Sequence, residues 1–136
     1  MKTIRLTILM SITLFFTSCK DDSVRPVDLT GDWQSEEIYV NGKLQKDISK
    51  TTWLLLKKDN IYKNNYITGT WSLNERNLEL TPNENLSLQP LQYEVTKLSN
   101  ASLTLEITLT EREYNWDFED IEADELITVT EKYSKK

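Results

Sequence analysis

Apolar side chains recur at every second position along several stretches of this chain. The clearest stretch is 101–110, where Leu103, Leu105, Ile107 and Leu109 alternate with serine, threonine and glutamate. Successive side chains of a β-strand point to opposite faces, so this pattern predicts a strand with one face in a core and the other in water. No segment longer than about ten residues shows the spacing of an amphipathic helix. The pattern therefore predicts an all-β protein.

Turn-forming residues separate the apolar runs. Asn41-Gly42 is a strong signal for a two-residue hairpin, and Pro90 predicts a bulge or a break because proline cannot donate to a ladder. Short turns favour antiparallel neighbours in chain order, and eight such strands gain most by closing into an up-and-down barrel, since closure removes both exposed edges. The polar segment 43–50 fits a helical turn or a lid, and the sequence does not decide between them. The predicted strands are 32–41, 51–58, 60–64, 66–73, 77–81, 86–97, 101–113 and 125–134.

Two of the three glycines lie in the same setting, Thr-Gly-x-Trp. Gly31 precedes Trp33 at the start of the first predicted strand, and Gly69 precedes Trp71 in the middle of the chain. Glycine lets the backbone bend sharply or approach a neighbour closely. We therefore predict that each indole turns inward beside a bend. The alternative is two unrelated strand tryptophans in a core.

The first 18 residues have the layout of a secretory signal peptide. Lys2 and Arg5 are followed by an apolar run over 6–16, which is too short to span a bilayer as a mature anchor. The single cysteine of the chain, Cys19, comes directly after this segment. The alternative to a modified cysteine is a buried or reactive free thiol.

The end of the leader, Phe16-Thr17-Ser18-Cys19, resembles the lipobox of bacterial lipoproteins, with Phe16 in place of leucine. This resemblance implies that the Cys19 thiol is lipidated and that Cys19 becomes the new N-terminus. Residues 19–28 would then form a tether, and acyl chains would hold the protein at the outer membrane, on its periplasmic face or at the cell surface. The remaining residues, 29–136, form the predicted barrel domain.

Composition excludes several classes of function. The leader takes two of the 16 basic residues, so the mature chain carries a formal charge of −8 instead of −6, which disfavours nucleic acid. There is no histidine, and with Cys19 lipidated we expect no metal site and no cofactor. The same absence excludes Ser-His and Cys-His catalysis. Glutamates at 36, 37, 106 and 131 are available for paired-carboxylate chemistry, but nothing in the sequence brings two together, so we do not expect an enzyme.

An ordered series of motifs resembles the lipocalin-like domains of Bacteroidota lipoproteins. The series runs over about residues 28–134: Gly31-Asp32-Trp33, Asn41-Gly42, Gly69-Thr70-Trp71-Ser72-Leu73, Asn77-Leu78-Glu79-Leu80, Tyr93-Glu94-Val95-Thr96-Lys97-Leu98-Ser99-Asn100, Leu103-Thr104-Leu105 and Glu131-Lys132-Tyr133. The resemblance implies an eight-stranded barrel with one open end and a small apolar ligand inside. It also implies a basic residue stacked over the first tryptophan, for which Arg112 or Lys132 could serve.

The candidate ligand-binding or core residues are the large side chains expected to point inward: Trp33, Trp53, Trp71 and Tyr93, with Leu55 among the smaller ones. Our first hypothesis is a barrel that binds a small apolar or amphiphilic ligand. The alternative is a packed barrel that binds another envelope protein. In either case we expect a monomer.

The connection before the last predicted strand supplies a second group of candidates, at the mouth of the barrel or on a partner surface. Tyr114, Trp116 and Phe118 would share one face if this segment were extended. Six carboxylates follow within 117–125 and could bind calcium, although a solvated connection explains them more simply. Glu131 interrupts the inner face of the last strand, and we place it close to a rim.

Overall fold

The computed structural model of the chain describes residues 23–136. The predicted signal peptide and Cys19 lie outside the described residues. Helix α1 (Pro26–Leu29) begins within the tether predicted for 19–28, and helix α2 (Glu111–Tyr114) lies between the last two strands. The strands are β1 (Gly31–Val40), β2 (Lys43–Leu44), β3 (Trp53–Leu56), β4 (Ile61–Asn64), β5 (Ile67–Asn74), β6 (Asn77–Pro82), β7 (Leu91–Leu98), β8 (Ser102–Thr110) and β9 (Leu126–Lys135).

The strands form one antiparallel sheet that closes on itself. From β3 to β9 each strand pairs with the next, β3 also pairs with the first half of β1, and β9 pairs with β1 from Trp33 to Val40. The two-residue β2 only extends the end of β1, so the closed ring has eight strands. The predicted eight-stranded antiparallel up-and-down barrel is confirmed.

Two predicted strand bounds are wrong, and one local prediction is confirmed. The strand predicted for 86–97 begins only at Leu91, directly after Pro90, because a short 3₁₀ turn (Glu84–Leu86) occupies the segment before it. The break expected at Pro90 is therefore present. The strand predicted for 101–113 ends at Thr110, whose side chain and that of Glu113 form a capping box that starts α2.

The undecided segment 43–50 is neither a helix nor a separate lid. After β2 it continues in turns that fold back against the barrel, with Ile48 and Ser49 buried. The Ser49 hydroxyl accepts a hydrogen bond from the Ile38 N–H at 3.0 Å and donates to the Gln45 carbonyl at 2.7 Å. These bonds hold the segment against the edge of β1 that faces away from β9, between the residues paired with β3 and those paired with β2.

The two Thr-Gly-x-Trp motifs serve the barrel in different ways. Gly31 has a φ of 152°, which residues with a Cβ rarely adopt. Gly69 has an ordinary φ, but a Cβ there would collide with the backbone of Thr81 and Pro82 on the neighbouring strand. Trp33 and Trp71 both point inward and are buried, as predicted.

Helix α1 covers one end of the barrel. Leu29 is fully buried, and its carbonyl accepts a hydrogen bond of 2.9 Å from the Trp33 indole. The basic residue over the first tryptophan is Lys135, whose Nζ lies 5.2 Å from the Trp33 ring centroid. The expectation of Arg112 or Lys132 is wrong, because Lys135 is the β9 residue paired with Trp33 in register. Within residues 23–136, no helix is long and apolar enough to cross a membrane.

Replacing Trp33 by alanine removes a fully buried indole and its bond to α1. We expect the free energy of unfolding to fall by about 3–5 kcal/mol, the usual loss for a buried aromatic side chain. Urea titration followed by circular dichroism measures this loss. Trp116→Ala is the control, since that side chain is 48% exposed. A loss below about 1 kcal/mol for Trp33→Ala would contradict the role given to this indole.

Candidate ligand-binding cavity

A cavity of about 810 Å³ lies inside the barrel at the end opposite α1. Its walls include Leu80 of β6, Tyr93 of β7 and Ile107 of β8. Four connections surround the mouth, namely 41–52, 65–66, 83–90 and 111–125, and residues of all four line the cavity. The mouth is therefore built from loops and the wall from strands.

The other half of the barrel is filled by its own side chains. Trp33, Trp71, Leu103, Leu105 and Tyr133 are buried there and do not line the cavity. An eight-stranded barrel is just wide enough either to be filled in this way or to hold one small ligand. In this barrel one end is filled by side chains and the other contains the cavity.

The floor of the cavity carries a buried carboxylate among tyrosines. Glu131 is 3% exposed, and its two oxygens accept hydrogen bonds from the Tyr114 hydroxyl at 2.9 Å and the Tyr133 hydroxyl at 2.7 Å. Tyr62 and Tyr93 also line the cavity. Glu131 lies in the middle of β9 and not close to a rim, so that expectation is corrected.

Burial dominates the electrostatics of this cluster. Removal from water raises the pKa of the Glu131 carboxyl above its usual value, and the Tyr133 and Tyr114 hydroxyls oppose that rise. Burial, followed by the nearby Glu131 charge, raises the pKa of Tyr93 well above that of a free phenol. Tyr114 and Tyr133 therefore remain hydrogen-bond donors to a carboxylate that is costly to ionise, and Tyr93 remains a neutral phenol beside it.

The inward-pointing candidates divide between the two halves of the barrel. Tyr93 lines the cavity, whereas Trp33 and Trp71 belong to the packed half, where the Trp71 indole donates to the Lys57 carbonyl at 2.9 Å. The sequence singled out Glu131 only as an irregularity and passed over Tyr62. The signal for Glu131 was present, because it occupies an inward position of an alternating strand. Tyr62 gave no such signal, because the apolar Ile61 precedes it and faces outward.

Trp53 lies on the outer face of the barrel, so its expected inward position is wrong. Leu54 and Leu56 are buried, while Trp53 and Leu55 are only half-buried. The Trp53 indole donates to the Asp32 carboxylate on the outer face. All four residues of β3 are apolar, so the sequence contains no alternation from which to choose a face.

Tyr114, Trp116 and Phe118 do not share one face, because the chain turns between them. Tyr114 ends α2, and Asn115 follows with a left-handed φ of 60°. The Tyr114 and Phe118 rings stack at 5.9 Å, and Phe118 is buried, whereas Trp116 is half-exposed at the mouth. Tyr114 and Phe118 therefore pack together against the core. Trp116 is the exposed side chain of the three and lies at the rim of the cavity.

The acidic part of this connection is largely exposed. Arg112 pairs with Asp124 at 3.2 Å, with both side chains mostly in water. Within residues 23–136, no three carboxylates are arranged to hold a metal ion. The buried exception is Glu111, which accepts a hydrogen bond from the Phe118 N–H at 3.0 Å and fixes the turn.

No protein-family model and no curated protein matches this chain. Among solved structures, it is similar to a lipocalin-like protein from Bacteroides uniformis, with 16% identity and a TM-score of 0.48 over 80% of this chain and 99% of that one. It is also similar to an uncharacterized protein from Bacteroides eggerthii, with 13% identity and a TM-score of 0.45 over 79% of this chain and 98% of that one.

Replacing Glu131 by glutamine should change how stability depends on pH. Below the usual carboxyl pKa of 4.5 the Glu131 carboxyl is protonated in both the folded and the unfolded chain, so its ionisation does not lower the free energy of unfolding. As the pH rises above 4.5, the unfolded chain ionises first, and wild-type stability falls until the raised folded pKa is passed. We therefore expect the free energy of unfolding of Glu131→Gln, relative to wild type, to increase with pH over this window.

Urea titrations at a series of pH values measure this difference. The matched control is Glu106→Gln, which removes a carboxylate from the outer face of β8. The burial of the Glu131 carboxylate would be contradicted by a Glu131→Gln stability, relative to wild type, that does not change with pH. The same pH dependence in Glu106→Gln would also contradict it.

Proposed function

We propose that this chain is an outer-membrane lipoprotein whose barrel binds a small apolar or amphiphilic ligand in the cavity at its open end. The cavity is the observation that carries the proposal. Its volume of about 810 Å³ lies within the range of about 300–1,000 Å³ that is usual for small-molecule sites. Apolar walls with a few polar groups are also usual there.

The alternative, a packed barrel that acts as an interaction module, has less support. It requires an interior filled by side chains, and only the α1 half meets that requirement. The exposed rim side chains Tyr66, Leu88 and Trp116 all border the cavity. They are therefore placed where an apolar ligand would enter.

We propose binding without catalysis. Two carboxylates line the cavity, Glu113 and Glu131. Glu113 is at the mouth and accepts hydrogen bonds from the Thr110 N–H at 2.7 Å and the Thr110 hydroxyl at 2.9 Å. With Glu113 engaged in the helix cap, Glu131 has no second carboxylate placed to share acid–base work.

Binding of the neutral fluorescent probe N-phenyl-1-naphthylamine tests the ligand-binding part. The full chain carrying Cys19→Ala is suitable, because no acyl chain then competes for the cavity. We expect saturable binding that falls at least about tenfold in Ile107→Trp, since the larger side chain occupies the space of the ligand. Thr104→Trp adds the same indole to the outer face of β8 and should leave binding unchanged. Equal binding by both variants, each shown to be folded, would exclude the cavity as the site.

Membrane attachment is tested separately by Cys19→Ala in cells. Removal of the thiol removes the site of acylation, so we expect the folded protein to move from the membrane fraction to the soluble fraction. Immunoblotting of the two fractions measures the shift, and Glu106→Gln, which keeps Cys19 and leaves the lipobox-like segment unchanged, is the control. Persistence of Cys19→Ala in the membrane fraction would overturn the lipoprotein proposal.

A further inference from the structure

We infer that the ligand carries a cationic group, of the protonated-amine class, which pairs with the Glu131 carboxylate at the floor of the cavity. The inference rests on the proposed function and adds the charge of the ligand and its direction of entry. The amine would lie deepest, and the apolar part would extend toward the mouth.

The position of Glu131 is the first support. Glu131 is in register with Leu105 of β8 and Ile38 of β1, so it is flanked by apolar inward-facing neighbours. Leu105 belongs to the packed half, whereas Ile38 and Glu131 line the cavity. Glu131 therefore lies where the packed half ends and the cavity begins.

The lack of a countercharge is the second support. Within residues 23–136, no lysine or arginine pairs with Glu131, which is held by two tyrosine hydroxyls. Burying a carboxylate is costly unless it is paired, and phenol hydrogen bonds compensate only in part. Each oxygen also keeps a further lone-pair position after accepting one bond. A ligand cation would supply a positive countercharge and further hydrogen-bond donors to these oxygens.

The surrounding tyrosines also suit a cation. Tyr62, Tyr93 and Tyr114 line the cavity around Glu131, and aromatic ring faces attract ammonium groups, most strongly away from water. Farther toward the mouth, Ile107 and Leu109 provide apolar wall. The arrangement matches an amphiphile that enters with its amine first.

The charge of the mouth is an independent observation in the same direction. The connection 111–125 carries eight carboxylates and one arginine, and that arginine is paired with Asp124. The segment 41–52 carries three lysines and one aspartate, so it offsets only part of this charge. A net negative mouth raises the local concentration of cations and lowers that of anions. A fatty-acid anion would meet repulsion at the mouth and again at Glu131.

Three ligands that share one chain length separate these possibilities: decylamine, decanol and decanoate. At about pH 7.5 the amine is cationic and the acid anionic. Each ligand is titrated, below its own critical micelle concentration, against N-phenyl-1-naphthylamine bound to the Cys19→Ala chain, and displacement of the probe gives its affinity. We expect decylamine to bind at least about tenfold more tightly than decanol, as for a hydrogen bond to a charged group, and decanoate to bind most weakly.

Glu131→Gln should bring the apparent affinities for decylamine and decanol to within about threefold of each other, and it should improve decanoate binding relative to decanol. Glu106→Gln, which removes a carboxylate from the outer face of β8, away from the cavity, is the control and should keep the order of the three ligands. The wild-type order alone is decisive should the Glu131 variant fail to fold.

The outcomes distinguish the two proposals. Probe binding with equal displacement by all three ligands, or with decanoate tightest, overturns the cationic ligand and leaves the binding function standing. Absence of saturable probe binding by the folded chain overturns the binding function itself.

Discussion

The pairing of β9 with β1 is the contact on which the rest of this structure depends. It joins the two ends of the sheet across residues that are about 90–100 apart in the chain, so it is the pairing with the largest loop-closure cost in the barrel. Closure satisfies both sheet edges and places one set of alternate side chains in an interior that water reaches only through the mouth. It also brings Lys135 over Trp33 and sets Glu131 opposite Ile38, so this one pairing positions residues of both the packed half and the cavity floor.

The barrel divides its interior because its two ends are built from different connections. At the α1 end the turns are short, as between β5 and β6, and the buried indoles of Trp33 and Trp71 help to fill the interior. At the mouth three of the four connections, 41–52, 83–90 and 111–125, are long and mostly irregular, and their side chains line the opening without filling it. Packed and hollow regions can therefore coexist without strain in the strands.

Alternation made most of the fold predictable, and its absence explains most of the errors. The clean pattern of β8 gives the correct face over its whole length, and Pro90 correctly indicates a break. The uniform apolar run of β3 contains no pattern, so the face of Trp53 could be learned only from its partners on β1. The turn at Asn115 follows from α2, whose start is marked by the local Thr110-x-x-Glu113 capping box, a signal that the prediction of a strand over 101–113 overlooks. The buried Glu111 then fixes the turn through the Phe118 N–H.

Candidate site residues were harder to predict than strands, because a site is defined by which side chains meet. Tyr93 was found through its size and its place in an alternating strand. Glu131 was noticed only as a break in the apolar face, since nothing local to β9 shows that Tyr114 approaches from another element. The carboxylate of Glu131, on the otherwise apolar inward face of β9, is the sequence feature that pointed most directly to the cavity floor.

The hydrogen bond from Tyr114 to Glu131 has a consequence for how the barrel responds to occupancy. Tyr114 belongs to the connection 111–125 at the mouth, whereas Glu131 belongs to the floor, so this bond is a mechanical link between the two. A ligand bound to the same carboxylate oxygen would share it with the Tyr114 hydroxyl, so by reciprocity a movement of the connection that alters this bond would alter the affinity for the ligand. Binding and release of the proposed ligand would then be coupled to movement of the connection 111–125.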